Sequence, residues 1–139
     1  MSHLARICAA IEPRGKGRPR FAGHAYTDAK TAAYEATLRD AAREAMGSQI
    51  PFDGPCTVTV FACFAVPPSW PEWKRAAALI GYHRPTTGFD VDNILKAALD
   101  PLRKIVFVDD KQVVSAHVVK SYAATASIDI CVERIGACP

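Results

Sequence analysis

A chain of 139 residues and 15.0 kDa, half of it hydrophobic and with mean hydropathy +0.03, is sized for one domain. Folding buries roughly 68–70% of the extended-chain surface at this length, which excludes general disorder. No uncharged apolar stretch reaches the roughly 18 residues of a bilayer span, since the longest strongly apolar run, Val60 to Val66, stops at Pro67 and Pro68, so no membrane partner is expected. A net charge of +3 and a pI near 8.7 are too mild to announce a nucleic-acid binder by themselves, so the distribution of charge has to decide. Cys8, Cys56, Cys63, Cys131 and Cys138 form no CxxC pair and have no histidine at zinc spacing. Their odd number, with an N-terminus lacking a secretory pattern, predicts reduced, structural cysteines in a cytoplasmic protein.

Leu4 to Ile11 is apolar with Arg6 as its one charge, which predicts a strand ended by Pro13 and Gly15. From Tyr26 an Ala-rich stretch predicts an amphipathic helix with Thr27 as N-cap, Gly47 just past its end, and Tyr34, Leu38, Ala41, Ala42 and Ala45 on one stripe. Thr57 to Val66 alternates and is apolar on both faces in its second half, the pattern of a central strand. Residues 67–88 hold four prolines and two tryptophans, and read as a long mobile loop around one short helix. A second amphipathic helix is expected from Asp92 to about Leu102, with Ile94, Leu95, Ala98, Leu99 and Leu102 inward and an end near Pro101. Ile105 to Val108 reads as a short strand running into a polar turn. Gln112–Tyr122 and Ser127–Arg134 both alternate and are expected to pair as a hairpin. There is no internal repeat.

Five of the fourteen carboxylates fall between Asp90 and Asp110: Asp90, Asp92, Asp100, Asp109 and Asp110. Asp90 and Asp92 bracket a helix start, where a carboxylate serves as an N-cap, and Lys96 lies one turn beyond Asp92, where an ordinary ion pair would form. Asp109 and Asp110 arrive at the end of a different element, and three acids from two elements make a site for a hard divalent cation possible, since clustered carboxylates repel unless a cation neutralises them. Spacing does not choose between Asp109 and Asp110. An EF-hand starting at Asp90 fails, having Ile94 and Pro101 where oxygen ligands belong. Upstream, Arg14, Lys16, Arg18 and Arg20 alternate with Gly15, Gly17 and Pro19, so in an extended chain all four point the same way. Residues 13–21 therefore predict an exposed basic ribbon able to follow phosphates, or else a solvated linker. Lys74, Arg75 and Arg84 add cations in the proline-rich segment. Trp70 and Trp73 suit base stacking, core packing or a dimer contact equally. His3, His24, His83 and His117 show no ligand spacing.

The stretch FDVDNILKAALDPLRKIVFVDDKQVV resembles the signature of the RusA family of Holliday junction resolvases, a D-x-D-N-L-x-K-A helix followed by a V-x-D-D-x-Q-V turn. The N-terminal P-x-x-K-x-R-P-R-F, the Y-T helix start and the P-x-S-W loop look like the same family, so the similarity covers nearly the whole chain. The resemblance implies an α/β (α+β) domain over residues 1–139, a small mixed β-sheet with two main helices packed on it. It implies a Mg2+-dependent homodimer, Mn2+ substituting, with no organic cofactor, that resolves four-way junction DNA by paired nicks, in a bacterial or phage-encoded setting. Carried over residue by residue, it makes Asp90, Asp92 and Asp110 the catalytic, metal-binding acids and Lys96 the catalytic lysine, with Asp109 beside the site and Asn93 and Gln112 in supporting hydrogen bonds. Two departures stand out. Many members carry Lys-Pro before the first acid where this chain has Gly88 and Phe89, leaving Arg84 as the nearest upstream cation, and Pro101 interrupts the helix. A DNA-binding protein without cleavage is the alternative, and a metal-dependent phosphatase or transferase acting on small molecules leaves the basic ribbon unexplained.

Overall fold

The computed structural model describes residues 2–15, 20–21, 25–26 and 29–136. In chain order they form β1 (Ser2–Ala9), β2 (Arg20–Phe21), β3 (Ala25–Tyr26), α1 (Ala29–Met46), β4 (Cys56–Ala65), α2 (Glu72–Leu79), α3 (Val91–Leu99), β5 (Val113–Ala123) and β6 (Ser127–Arg134), with single 3-10 turns at Asp100–Leu102 and Asp110–Gln112. Four strands make a mixed sheet in the order β1-β6-β4-β5, while β2 and β3 pair separately. The β6 strand runs antiparallel to β1 and β4, and β4 runs parallel to β5. The expected architecture of two main helices on a small mixed sheet is therefore present.

The apolar run of β4 takes a central place, hydrogen-bonded along both edges, as its two-sided hydrophobicity predicts. Ile7, Ile130 and Val60 form one row across three strands, and all three are buried. Onto this face α1 lays Tyr34, Leu38, Ala42 and Met46, and α3 lays Ile94, Ala97, Ala98 and Leu99, closing one core. Helix α1 stops before Gly47, at φ 57, as expected; its predicted cap, Thr27, lies outside the described residues. The other face of the sheet is more open, with Phe61 44% exposed. There Arg6 donates to Asp129 across neighbouring strands, Nη2 to Oδ2 at 2.6 Å, and this bond holds the Asp129 carboxyl below its usual range. Cys8, Cys56, Cys63 and Cys131 are free, and burial pushes the thiols of Cys8, Cys56 and Cys131 up, away from the reactive thiolate.

Three expectations are corrected. Gln112–Tyr122 and Ser127–Arg134 become strands but not a hairpin, because β4 lies between them. The connection Ala124, Thr125, Ala126 has no glycine or asparagine for the positive-φ positions of a two-residue hairpin turn, and the more apolar β4 claims both neighbouring edges. Ile105 to Val108 is a loop rather than a strand. Lys104 takes φ 64, its N–H donates to the Phe107 carbonyl at 2.7 Å, and Phe52 bonds both Val106 and Val108 through its backbone. Val106 and Phe107 are thereby turned into the core, fully buried. The first strand also begins and ends two residues earlier than expected, at Ser2–Ala9.

Phe107 is the largest fully buried side chain and plugs the space beneath the loop it closes. Phe107→Ala is expected to lower unfolding free energy by about 3–5 kcal/mol, a large share of the roughly 5–15 kcal/mol of an ordinary domain. Urea unfolding followed by far-UV circular dichroism measures the loss; an unchanged midpoint would mean Phe107 packs loosely.

Candidate active site

The acid-rich stretch folds around α3. Asp90 is the N-cap, its Oδ1 accepting from the Asn93 N–H at 3.1 Å, so the capping role open to it in the sequence is filled. Asp92 lies in the exposed first turn, and Lys96 and Asp100 follow at successive four-residue steps. Because residues four apart share a helix face, Asp92, Lys96 and Asp100 form one stripe opposite buried Ile94, Ala97 and Ala98. Pro101 ends the regular helix, and the chain continues through a 3-10 turn rather than a longer helix.

At the second acid pair the neighbours differ. Asp109 caps the 3-10 turn, its Oδ1 accepting from the Lys111 N–H at 3.1 Å while its own N–H donates to Gln112 Oε1 at 2.7 Å. Gln112 then donates from Nε2 to the carbonyls of Phe52 and Gly54, at 2.7 and 3.0 Å. The Lys111 N–H, a hydrogen bond with Asp110 and the Arg103 guanidinium at 3.7 Å hold Asp109 below the usual carboxylate range. Asp110 moves the other way. Burial first, then its hydrogen bond with Asp109 and the charges of Asp109 and Asp100, push its carboxyl up against a lowering by Arg103. Asp100, at the end of the α3 stripe, is thus an electrostatic neighbour of Asp110; its position eight residues after Asp92 was the available signal for it.

Carboxylate oxygens are the donor chemistry a hard cation such as Mg2+ takes. Asp90 and Asp100 cap opposite ends of α3, about 15 Å apart at the helical rise, and Asp110 is felt at the Asp100 end. Among the described residues no three His, Cys, Asp or Glu side chains are gathered into a group that could hold a metal ion.

The basic ribbon begins differently from the expected exposed strip. Pro13 and Gly15 are buried and Arg14 half-buried, because this segment docks on the start of α3. A Cβ on Gly15 would come within 2.4 Å of Phe89 Cδ1 and 3.0 Å of Asn93 Cβ, so only glycine fits there. Arg14 lies over the Phe89 ring, 5.9 Å from its centroid. Lys16 and Arg18 lie outside the described residues, and Arg20 contributes its backbone to β2. Within the expected mobile loop 67–88, α2 carries Lys74 and Arg75, and Lys74 Nζ sits 4.0 Å from the Trp70 ring centroid. Trp70 meets His83 and Tyr122 edge-on at 5.1 and 5.2 Å, which ties this segment to β5, and Lys120 donates to the Thr87 carbonyl at 3.3 Å. Trp73 and Arg84 are exposed. Sequence reasoning gave no role to Gly15, Phe89, Lys120 or Tyr122; the substitution at Gly88–Phe89 was the one hint.

The chain is 36% identical over 64 residues to the uncharacterized protein YqaN of Bacillus subtilis (strain 168), an alignment that takes in 46% of this chain and 45% of that protein. The chain therefore spans about half the length of that relative. The sequence profile of the family described as endodeoxyribonuclease RusA matches residues 10–133, from the end of β1 to the last residues of β6, and takes in α3, both acid pairs and the basic segment. A match of that extent makes the chain a member of the RusA endodeoxyribonuclease family, hydrolases that act on DNA.

Proposed function

We propose that this protein is a Mg2+-dependent endonuclease that resolves four-way (Holliday) junctions by paired, symmetric nicks in DNA recombination and repair. The observation that carries the reading is the exposed α3 stripe, where acids and one lysine share a face that ends beside the raised Asp110. The family pattern assigns Asp90, Asp92 and Asp110 to the cation, for which Mn2+ can stand in, although among the described residues they are not gathered into one metal group; a cation held there would supply an activated water and neutralise charge on the phosphate oxygens. Lys96 holds the scissile phosphate or assists the leaving oxygen. Asp109 and Gln112 act as positioning residues, fixing the turn that presents Asp110. Arg14, Lys16, Arg18 and Arg20, with Lys74, Arg75 and Arg84, bind backbone phosphates along the arms. A four-way junction has approximate two-fold symmetry, so an isologous homodimer presents two sites for two matched cuts.

The second reading, junction binding without cleavage, draws its support from the same helix, since the described acids stand towards opposite ends of α3. Cleavage of an end-labelled junction in Mg2+, absent in EDTA and absent on a matched duplex, supports the nuclease; a shifted but uncut junction supports the binder.

Asp92 is the cleaner site for a test, because it does not cap the helix as Asp90 does. Asp92→Asn is expected to reduce nicking by at least about 100-fold, the weight of one group acting on the transition state, while junction affinity without Mg2+ stays the same. Retained nicking on denaturing gels would remove Asp92 from the site. Replacing Arg18 and Arg20 together by Ala is expected to lower the slope of log affinity against log salt by about 2, or 0.9 per lost phosphate contact. An unchanged slope would take the ribbon off the DNA.

A further inference from the structure

Beside the N-terminus of α3 a cleft of about 400 Å3 opens between Phe64 and Ala65 of β4, Tyr122 of β5 and the Gly88–Phe89 turn. Its walls are aromatic and its rim carries Glu12 and Arg14. The volume lies within the roughly 300–1,000 Å3 of small-ligand sites, which pair apolar walls with a few polar groups. Three further observations bear on what enters it. Phe89 immediately precedes Asp90 and is clamped from behind by Gly15, so its ring is fixed next to the first acid. Arg14 Nε is buried and has no hydrogen-bond partner among the described residues, although the side chain lines the cleft. Lys120, tethered to the Thr87 carbonyl, lies 6.0 Å from the Phe64 centroid, which puts a positive charge beside two of the lining residues.

We infer that this cleft receives one unstacked nucleobase of the DNA substrate, stacked against Phe89, with Tyr122 and Phe64 as the remaining walls. The inference rests on the nuclease reading and deepens it. An aromatic slot flanked by cations beside the acids suits a flat, apolar-faced base attached to a phosphate, since stacking on aromatic rings holds any base and the cations meet the backbone. Glu12 offers an acceptor and Arg14 a donor to the edge of the base, so the slot also discriminates among bases. It makes Phe89 a specificity-determining residue. Gly88, at φ 81, allows the sharp turn that delivers the ring.

The test walks a single tetrahydrofuran abasic residue through the nucleotides flanking the crossover of a synthetic four-way junction. Binding is read by fluorescence anisotropy in EDTA, so that cleavage plays no part. With the wild-type protein, one position is expected to lose affinity by about ten-fold, the weight of one stacked base, while its neighbours lose little. Phe89→Leu keeps an apolar group against Gly15 and is expected to erase that position dependence without changing the salt slope. Ala65→Phe, which fills the exposed end of β4 without touching the acids, is expected to do the same and serves if Phe89→Leu does not fold. Equal losses at every position, or a position dependence that survives both substitutions, would overturn the base slot and leave the junction reading standing. No affinity for any junction would overturn both.

Discussion

The rotation of α3 is the constraint on which the site depends. Ile94, Ala97, Ala98 and Leu99 are buried against the sheet and the Asp100–Leu102 turn, and two of the four are alanines, which let the helix come close. A helix held so tightly on one side cannot roll without exposing Ile94 or opening a void, and each buried methylene is worth about 0.8 kcal/mol. The polar stripe of Asp92, Lys96 and Asp100 is therefore aimed outward by the packing of the opposite face. Asp92 and Lys96 are exposed, which leaves these two accessible to the chemistry proposed here. The turn at Asp110–Gln112 is anchored separately, by Gln112 bonding across to Phe52 and Gly54.

Electrostatics then separates groups that look alike in the sequence. Asp109 and Asp110 are chemically identical neighbours, yet the backbone N–H of Lys111 and the Arg103 guanidinium reach only Asp109 strongly enough to lower it. Asp110 is raised instead, by burial first and then by its hydrogen bond with Asp109 and the charges of Asp109 and Asp100. The cap bond at Asp90 has a double aspect: one oxygen holds the Asn93 N–H, and the other stands where the helix N-terminus favours negative charge.

What could be read from the sequence was what local pattern decides. Alternation placed β4, β5 and β6, and 3.6-residue periodicity with Gly47 and Pro101 placed α1 and the end of α3. The acid spacing pointed to Asp90 or Asp92 as a helix cap, and the structure gives that place to Asp90. What could not be read depended on competition between segments. Ser127–Arg134 had two possible partners, and the choice of β4 over β5 turns on which strand buries more, a property of the assembled sheet. Ile105–Val108 is as apolar as a strand, but Lys104 in a left-handed conformation and the two bonds of Phe52 fold it back. The docking of Gly15 on Phe89 was equally hidden, because a glycine in a basic, proline-rich segment reads as flexibility when its function here is to admit a ring at van der Waals range.

That contact alters how the basic segment should be understood. A ribbon of alternating arginines attached by a free linker would meet DNA with little orientation, and its phosphate contacts would add affinity without information. Here the start of the basic segment, Pro13 to Gly15, is fixed, packed on the same turn that carries Phe89 and Asp90. Any phosphate taken by Arg14 is thereby held at a set distance from the first acid, and the chain that follows starts its path from the site itself. Positioning of this kind matters more than the strength of any single contact, since a reacting phosphate displaced by about 1 Å can lose a hundred-fold in rate. The close approach at Gly15 joins the start of the basic segment to the helix that carries the acids, so both respond to the same packing.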